Sequence, residues 1–240
     1  MEKFELVKED SIEVDGHKLF RIRALKDFDN IKVGDLGGYV EHEYNLSQYG
    51  NCWVYGADCN VYENGSVIQN AKVFGSCDIY GYATIGGNAN LIGGVIGTLD
   101  EYINQFKESR LRVFGEAKIS GDAVITDVAS IYGKVYINDK CSVYGDAEIY
   151  GTCELKGCIH VGYLAKIEKN SDYFSITNIG SRGDTTTFYK ASNGRIWVNT
   201  GCCHCDIKIF KEKVKKTHAH NKLYKKQYLQ AIKYAKKLIK

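Results

Sequence analysis

Proline is absent from the 240 residues, whereas glycine occurs 25 times. That imbalance points to many tight corners, each needing the positive φ angles that glycine adopts at little cost. No apolar run approaches the roughly 18 residues of a membrane-spanning helix, and the opening segment MEKFELVKED is charged and mixed, so the expected location is cytoplasmic. Nine cysteines are present, but Cys52, Cys59, Cys77, Cys141 and Cys153 stand where a repeating pattern otherwise has alanine. There they are expected as small, buried, reduced thiols. The formal net charge of +3 conceals a division: residues 206–240 hold twelve lysines against Asp206 and Glu212, a local +10 that leaves −7 for residues 1–205.

What the chain has in abundance is a six-residue period. Small side chains recur as Ala117, Ala123, Ala129, Val135, Cys141, Ala147, Cys153, Ile159 and Ala165, each followed two residues later by an aliphatic one, from Ile119 and Ile125 through Val161 and Ile167. The same register runs earlier through Cys59, Ala71, Cys77, Ala83 and Ala89. Strand alternation turns residues i and i+2 to one face, so each hexapeptide directs a small and a branched side chain inward. Four positions after the small residue comes glycine, as at Gly56, Gly75, Gly121 and Gly145, or Asp127 and Asp139 in its stead. A short strand and a corner every six residues make a triangular prism of 18 residues per coil. The expected fold is mainly β: a left-handed parallel β-helix of about six coils, roughly 30 Å tall at ~4.8 Å per coil. A helical reading fails, because period six matches neither 3.5 nor 3.6.

Between Val95 and Leu111 the spacing grows from six residues to sixteen. This predicts an extruded loop over 98–110, carrying Tyr102, Phe106 and Arg110. The open ends of a β-helix need covers. Residues 1–44, with SIEVDGHKLFRI alternating around Asp15-Gly16, are expected as an N-terminal β cap ahead of the column at 45–168. Residues 169–240 are expected as a C-terminal α+β domain, with three strands (FSITNIG, TTTFYKA, RIWVNT) and two helices near DIKIFKEKVKKTH and LYKKQYLQAIKYAKKLI.

The assembled repeat resembles the hexapeptide-repeat superfamily, and within it the phage and prophage proteins whose repeats read VYG-D/N-A, as in VYGDAEIYG. LGGYVEHEYNLSQYGNCWVYG, NIGSRGDTTTFY and the later THxxN are similar to the same viral proteins. The left hand of the helix is taken from this resemblance, since it runs against the usual right-handed crossover. The resemblance further implies a homotrimer in an infected or lysogenic bacterial host. It does not supply a reaction.

Three function classes follow. The first is a non-enzymatic binding protein that captures a small anionic ligand, with a host nucleotide immune signal as the candidate. Outward aromatics 18 residues apart would stack as Phe114, Tyr132 and Tyr150, as Tyr62 with Tyr80, and as Tyr55 with Phe74. The expected ligand residues are Tyr132, Tyr150, Tyr102, Arg110, Arg182, Asp184, Thr185, Thr186, His218 and Asn221. Segment 180–186 suits phosphate or carboxylate, though a plain polar turn has the same composition. The second class is an acyltransferase using acyl-CoA. Its enzymatic relatives place a histidine base near an extruded loop; here only His160 lies on the column, pointing outward with no carboxylate neighbour in sequence, as a solvated surface histidine would. A third alternative is a structural, virion-associated column. GCCHC and THAH contain zinc-ligand types (Cys202, Cys205, His218, His220) but lack zinc-site spacing, and no metal, cofactor, membrane or dedicated nucleic-acid polymer site is expected.

Overall fold

The structure, a computed structural model, describes residues 2–94, 110–201 and 203–239. The protein is mainly β, a parallel solenoid of about six coils followed by a region of strands and two helices. Its topology supports the left-handed form. On one face Cys59–Val61, Cys77–Ile79, Leu111–Val113 and Ser130–Ile131 stack in parallel. On a second face the stack runs from Trp53–Val54 through Lys72–Gly75 and Asn90–Gly93 to Ser142–Val143 and His160–Val161. The small and aliphatic positions of the register are buried throughout, and together they form one apolar core.

The corners explain the glycines. Gly56 and Gly75 have φ of 72° and 69°. A Cβ on Gly56 would meet nothing within 4 Å, whereas one on Gly75 would lie 2.1 Å from the carbonyl oxygen of Gly93 in the next coil. Asp127 and Asp139 take the same left-handed conformation, and so do Glu63, Gln69 and Leu164, which the spacing alone did not single out. Four of these side chains accept from a backbone amide one coil further on: Glu63 from Gly81, Gln69 from Gly87, Asp127 from Gly145 and Asp139 from Gly157.

Leu111–Val113 pairs directly with Cys77–Ile79, so the column is continuous across the insertion. Residues 95–109, with Tyr102 and Phe106, lie outside the described residues. The same pairing corrects the expected aromatic arrangement. Tyr62, Tyr80, Phe114, Tyr132 and Tyr150 form one stack of five rings, not two sets, with successive centroids 5.0, 4.9, 4.8 and 5.3 Å apart. Its junction, Tyr80 on Phe114, bridges the insertion. Nor is the stack freely exposed: Tyr62 is buried beneath the N-terminal strands and the other four rings are half-buried.

In this ladder neighbouring coils exchange bonds in both directions: Cys52 N and Ser66 N donate to Gln69 O and Ala83 O of the following coil, and Leu111 N donates to Ser76 O of the preceding one. Each end coil is therefore left with both carbonyls and amides that the ladder does not pair. N-terminal segments supply donors. The hairpin of Phe4–Val14 and His17–Ala24 turns at Asp15-Gly16, and Leu36–Val40 pairs in parallel with Cys59–Val61, so the column begins inside the segment expected as a separate cap. Buried Asn45 donates from Nδ2 to Glu63 O at 3.0 Å and Gly65 O at 2.7 Å, and buried Lys3 donates to Cys52 O at 2.9 Å. At the far end both kinds are supplied: Asp172 Oδ2 takes the amides of Glu168 and Lys169, Thr187 Oγ1 takes that of His160, and Ser192 N donates to Leu164 O.

The cover at that end is an antiparallel sheet in the order Tyr173–Ile176, Thr186–Lys190, Ile196–Thr200, Cys203–Asp206. The fourth strand arises from the GCCHC segment, beyond the three strands expected from sequence. One face of the sheet carries Thr187, Tyr189, Trp197, Asn199 and His204 toward the column. The other carries Phe188, Val198 and Cys205 onto helices α1 (Ile207–Thr217) and α2 (Lys222–Leu238), with Phe210, Val214, Ile232 and Ala235 in the shared core.

Two stability predictions follow from this geometry. Gly56→Ala is expected to cost about 1 kcal/mol, the left-handed backbone penalty alone, and Gly75→Ala at least ~2 kcal/mol more, because the neighbouring backbone cannot yield. Urea unfolding of the pair measures the difference; equal losses refute the steric account. Asn45→Asp keeps the shape but removes both donors, and a loss of about 2–4 kcal/mol is expected in the same assay.

Candidate functional site

Docking of the terminal sheet on the last coil creates one cavity, and the 181–184 loop, the sheet edge and the two helices line a second that adjoins it. The first, about 690 Å³, is lined by Tyr144, His160, Asn178, Asp184, Thr185 and Asn199, among others. The second, about 720 Å³, is lined by Arg182, Lys213, Lys216, His218, Tyr228 and Phe210, with Asp184 at its edge. Asp184, Thr200 and Gly201 belong to both, so the loop at 180–184 divides a single groove.

Local packing sets the loop in place. The amide of Gly180 donates to Gln227 Oε1 at 3.0 Å, and a Cβ at Gly180 would fall 2.0 Å from the Tyr228 hydroxyl, so glycine is required where α2 crosses beneath. His218, at the C-terminus of α1, stacks on Tyr228 with centroids 5.5 Å and planes 22° apart. This stacked pair offers a flat surface beside Arg182, Lys213 and Lys216. Three cations facing one carboxylate bias that half of the groove toward anions.

In the other half, Asn199 Nδ2 donates to the Tyr144 hydroxyl at 2.6 Å, joining the sheet to the column. Tyr144 lies over Gly162, where a Cβ would come within 2.2 Å of its ring. His160 is not the solvated surface histidine expected from sequence: the sheet half-buries it, and burial lowers its pKa while Asp184 pulls the other way. At pH 7 the neutral imidazole predominates. Next to this half, His204 is enclosed by Tyr144, Tyr163, Tyr189 and Trp197, with ring centroids 5.1 to 6.1 Å away. Its Nε2 bonds the Tyr189 hydroxyl, and burial lowers its pKa also.

The structure thus gathers Arg182, Asp184, Thr185 and His218 around one groove, together with His160. Thr186 is fully buried with its hydroxyl 2.8 Å from that of Thr200, which removes it from any ligand surface. Asn221 is committed to capping α2, accepting from Tyr224 N at 3.0 Å. The Arg110 guanidinium is tied to the column, donating to Asp78 Oδ2 at 2.6 Å and to Cys77 O. Tyr132 and Tyr150 line neither cavity; Tyr132 donates to Glu148, and the Lys166 ammonium sits 5.6 Å over the Tyr150 ring. Tyr102 lies outside the described residues. Among the described residues no group of three or more His, Cys, Asp or Glu side chains is placed to hold a metal. Cys205 is buried 3.3 Å from the Cys203 sulfur, His220 lines neither cavity, and Cys202 lies outside the described residues. Lys213, Lys216 and Tyr228 were missed in sequence, where a lysine-rich amphipathic helix reads as a solvated face; no local signal marks the three lining residues.

No family model matches the chain. The uncharacterized acetyltransferase YdcK of Escherichia coli (strain K12) is 31% identical over 83 residues, which cover 32% of this chain and 26% of that protein. The match therefore spans about a quarter of the relative's length. The repeat, the solenoid and this partial likeness together support the hexapeptide-repeat superfamily.

Burial of His204 and His160 has a pH consequence. Both pKa values are lowered from the ordinary 6.5, so the unfolded chain binds these protons more readily than the folded one. The stability they confer is fully present above about pH 6.5 and lost as pH falls through the unfolded value toward the lowered folded one. Thermal melts at about pH 7.5 and about pH 5.5 should show this loss, with a shallower dependence in His204→Gln. An unchanged slope in that variant refutes the assignment.

Proposed function

We propose that the protein captures, without transforming it, a small anion bearing a flat ring, of the nucleotide type. The observation carrying this reading is the second half of the groove, where Arg182, Lys213 and Lys216 surround the stacked His218–Tyr228 pair. Charge placed beside an aromatic face is what a phosphate attached to a base requires, and each stacked base contributes ~1–3 kcal/mol. The repeats' likeness to phage and prophage proteins supports a viral role, sequestering a nucleotide immune signal of the host. The half-buried ring stack along the column supports assembly as a homotrimer.

A specific observation favours a second reading. His160 is half-buried, kept neutral, and shares its cavity with Asp184, next to a basic half that would receive the phosphates of an acyl-CoA. A neutral imidazole could then deprotonate an acceptor amine or hydroxyl. The name of the E. coli relative, an acetyltransferase, points the same way.

The discriminating measurement is calorimetric titration with cyclic dinucleotides, ADP-ribose and acetyl-CoA, combined with mass spectrometry of molecules released on denaturation. Under the capture reading Arg182→Ala and Lys213→Ala each weaken nucleotide binding about tenfold, or ~1.4 kcal/mol, and His160→Ala leaves it unchanged. Binding should also weaken with added salt. No bound nucleotide, released or titrated, sinks that reading. Acetyl-CoA turnover abolished by His160→Ala establishes the other.

A further inference from the structure

Lys3, at the start of the N-terminal hairpin, is a charged residue buried against the column's first coil. It is 1% exposed, its Nζ lies 2.9 Å from Cys52 O and 3.2 Å from Cys52 Sγ, and the Phe28 ring covers it at 5.3 Å. No described carboxylate is within ion-pair distance of it. Cys52 is fully buried, with the carbonyls of Ser47 and Tyr49 at 3.5 and 3.7 Å from its sulfur. Capping the carbonyls of Gly50 and Cys52 accounts for a donor at this place. It does not account for the thiol in contact with it, a contact with no counterpart at the register cysteines Cys59, Cys77, Cys141 and Cys153, whose sulfurs meet backbone carbonyls. Burial without an acid partner also favours the neutral, nucleophilic amine.

We propose that Lys3 and Cys52 form a modification site at which dioxygen joins Nζ to Sγ through a single oxygen atom, tying the N-terminal hairpin to the first coil. The ammonium first releases a proton to solvent. The amine and thiol then each give up one hydrogen, N–O and O–S bonds form in place of one N–H and the S–H bond, and the second oxygen atom leaves as water with those two hydrogens. Dioxygen accepts four electrons, two from nitrogen and two from sulfur, so the step balances. The distance already present asks for little backbone movement, and the bridge would cross-link residues 3 and 52 as a disulfide does, restricting the unfolded chain.

Peptide mapping of the full-length protein, aerated and then split into untreated and dithiothreitol-treated halves, tests this. Expected is a linked pair of peptides containing Lys3 and Cys52, heavier than their sum by one oxygen and lighter by two hydrogens, with tryptic cleavage after Lys3 lost. Reductant restores both peptides. Cys52→Ala, which keeps the small residue of the repeat, abolishes the linked species, and the aerated wild type melts several degrees above its reduced form. Recovery of both peptides unlinked after aeration overturns the proposal, as does oxidation of Cys52 to a sulfinic acid with Lys3 free, or persistence of the linked mass in Cys52→Ala. The wild-type mapping does not depend on any variant folding.

Discussion

A parallel β-ladder leaves unpaired backbone groups at both of its ends, and the ends of this molecule are built to close it. Because neighbouring coils exchange bonds in both directions, each end of the column presents carbonyls without donors and amides without acceptors. An unpaired buried backbone group costs about 1–3 kcal/mol, so neither end can simply be covered with apolar side chains. The N-terminal cover answers with donors, among them the Asn45 amide and the Lys3 ammonium. The C-terminal cover answers with acceptors, among them Asp172 Oδ2 and Thr187 Oγ1, and with donors, among them the Ser192 amide on Leu164 O. One half of the groove is a by-product of this closure: bringing Thr187 over the amide of His160 also brings Asn199 onto Tyr144 and sets the 180–184 loop beside the column.

The corners obey a related constraint. Left-handed backbone costs a non-glycine residue roughly 1–2 kcal/mol. Glu63, Gln69, Asp127 and Asp139 offset it by accepting from the amide of the corner stacked 18 residues ahead, a bond worth about 1 kcal/mol net. Leu164 has no such group, and the bond at its corner comes instead from Asp146, which accepts its amide at 2.7 Å. Substitution at a corner therefore selects side chains of a particular length and polarity, a rule more specific than tolerance of positive φ.

This difference marks where the sequence was legible. Inward positions repeat every six residues because the core repeats, so register, coil number and most corners could be read directly. Glu63 and Gln69 escaped notice because their reason for occupying a corner lies one coil away. The aromatic stack was divided in two for the same cause: its middle junction, Tyr80 on Phe114, depends on where the chain rejoins the column after the insertion. Segment 180–186 and His218 were identified by chemical type, yet the structure separates them by burial, retaining Arg182, Asp184 and Thr185 and withdrawing Thr186 into the sheet. His160 was misread because its burial comes from strands about 30 residues further along the chain, which no local pattern announces.

Electrostatics then decides what such a groove can hold. Arg182 and Asp184 are exposed and Lys213 and Lys216 lie at the rim of helix α1, so water and salt screen each cation, leaving it well under the strength of a buried pair. A monatomic or purely inorganic anion would gain little there. Affinity requires a second contribution that screening does not erode, and the His218–Tyr228 pair supplies it through area and stacking. On the proposed capture reading, the ligand is therefore an anion attached to a flat apolar body. Across Asp184 the other half offers hydroxyls, amides and a neutral imidazole, a surface that discriminates by hydrogen bonding and adds little attraction for charge. A ligand long enough to pass over Asp184 would be held by its phosphate and ring and read by its far end, and only such a ligand would bring a reacting group to His160.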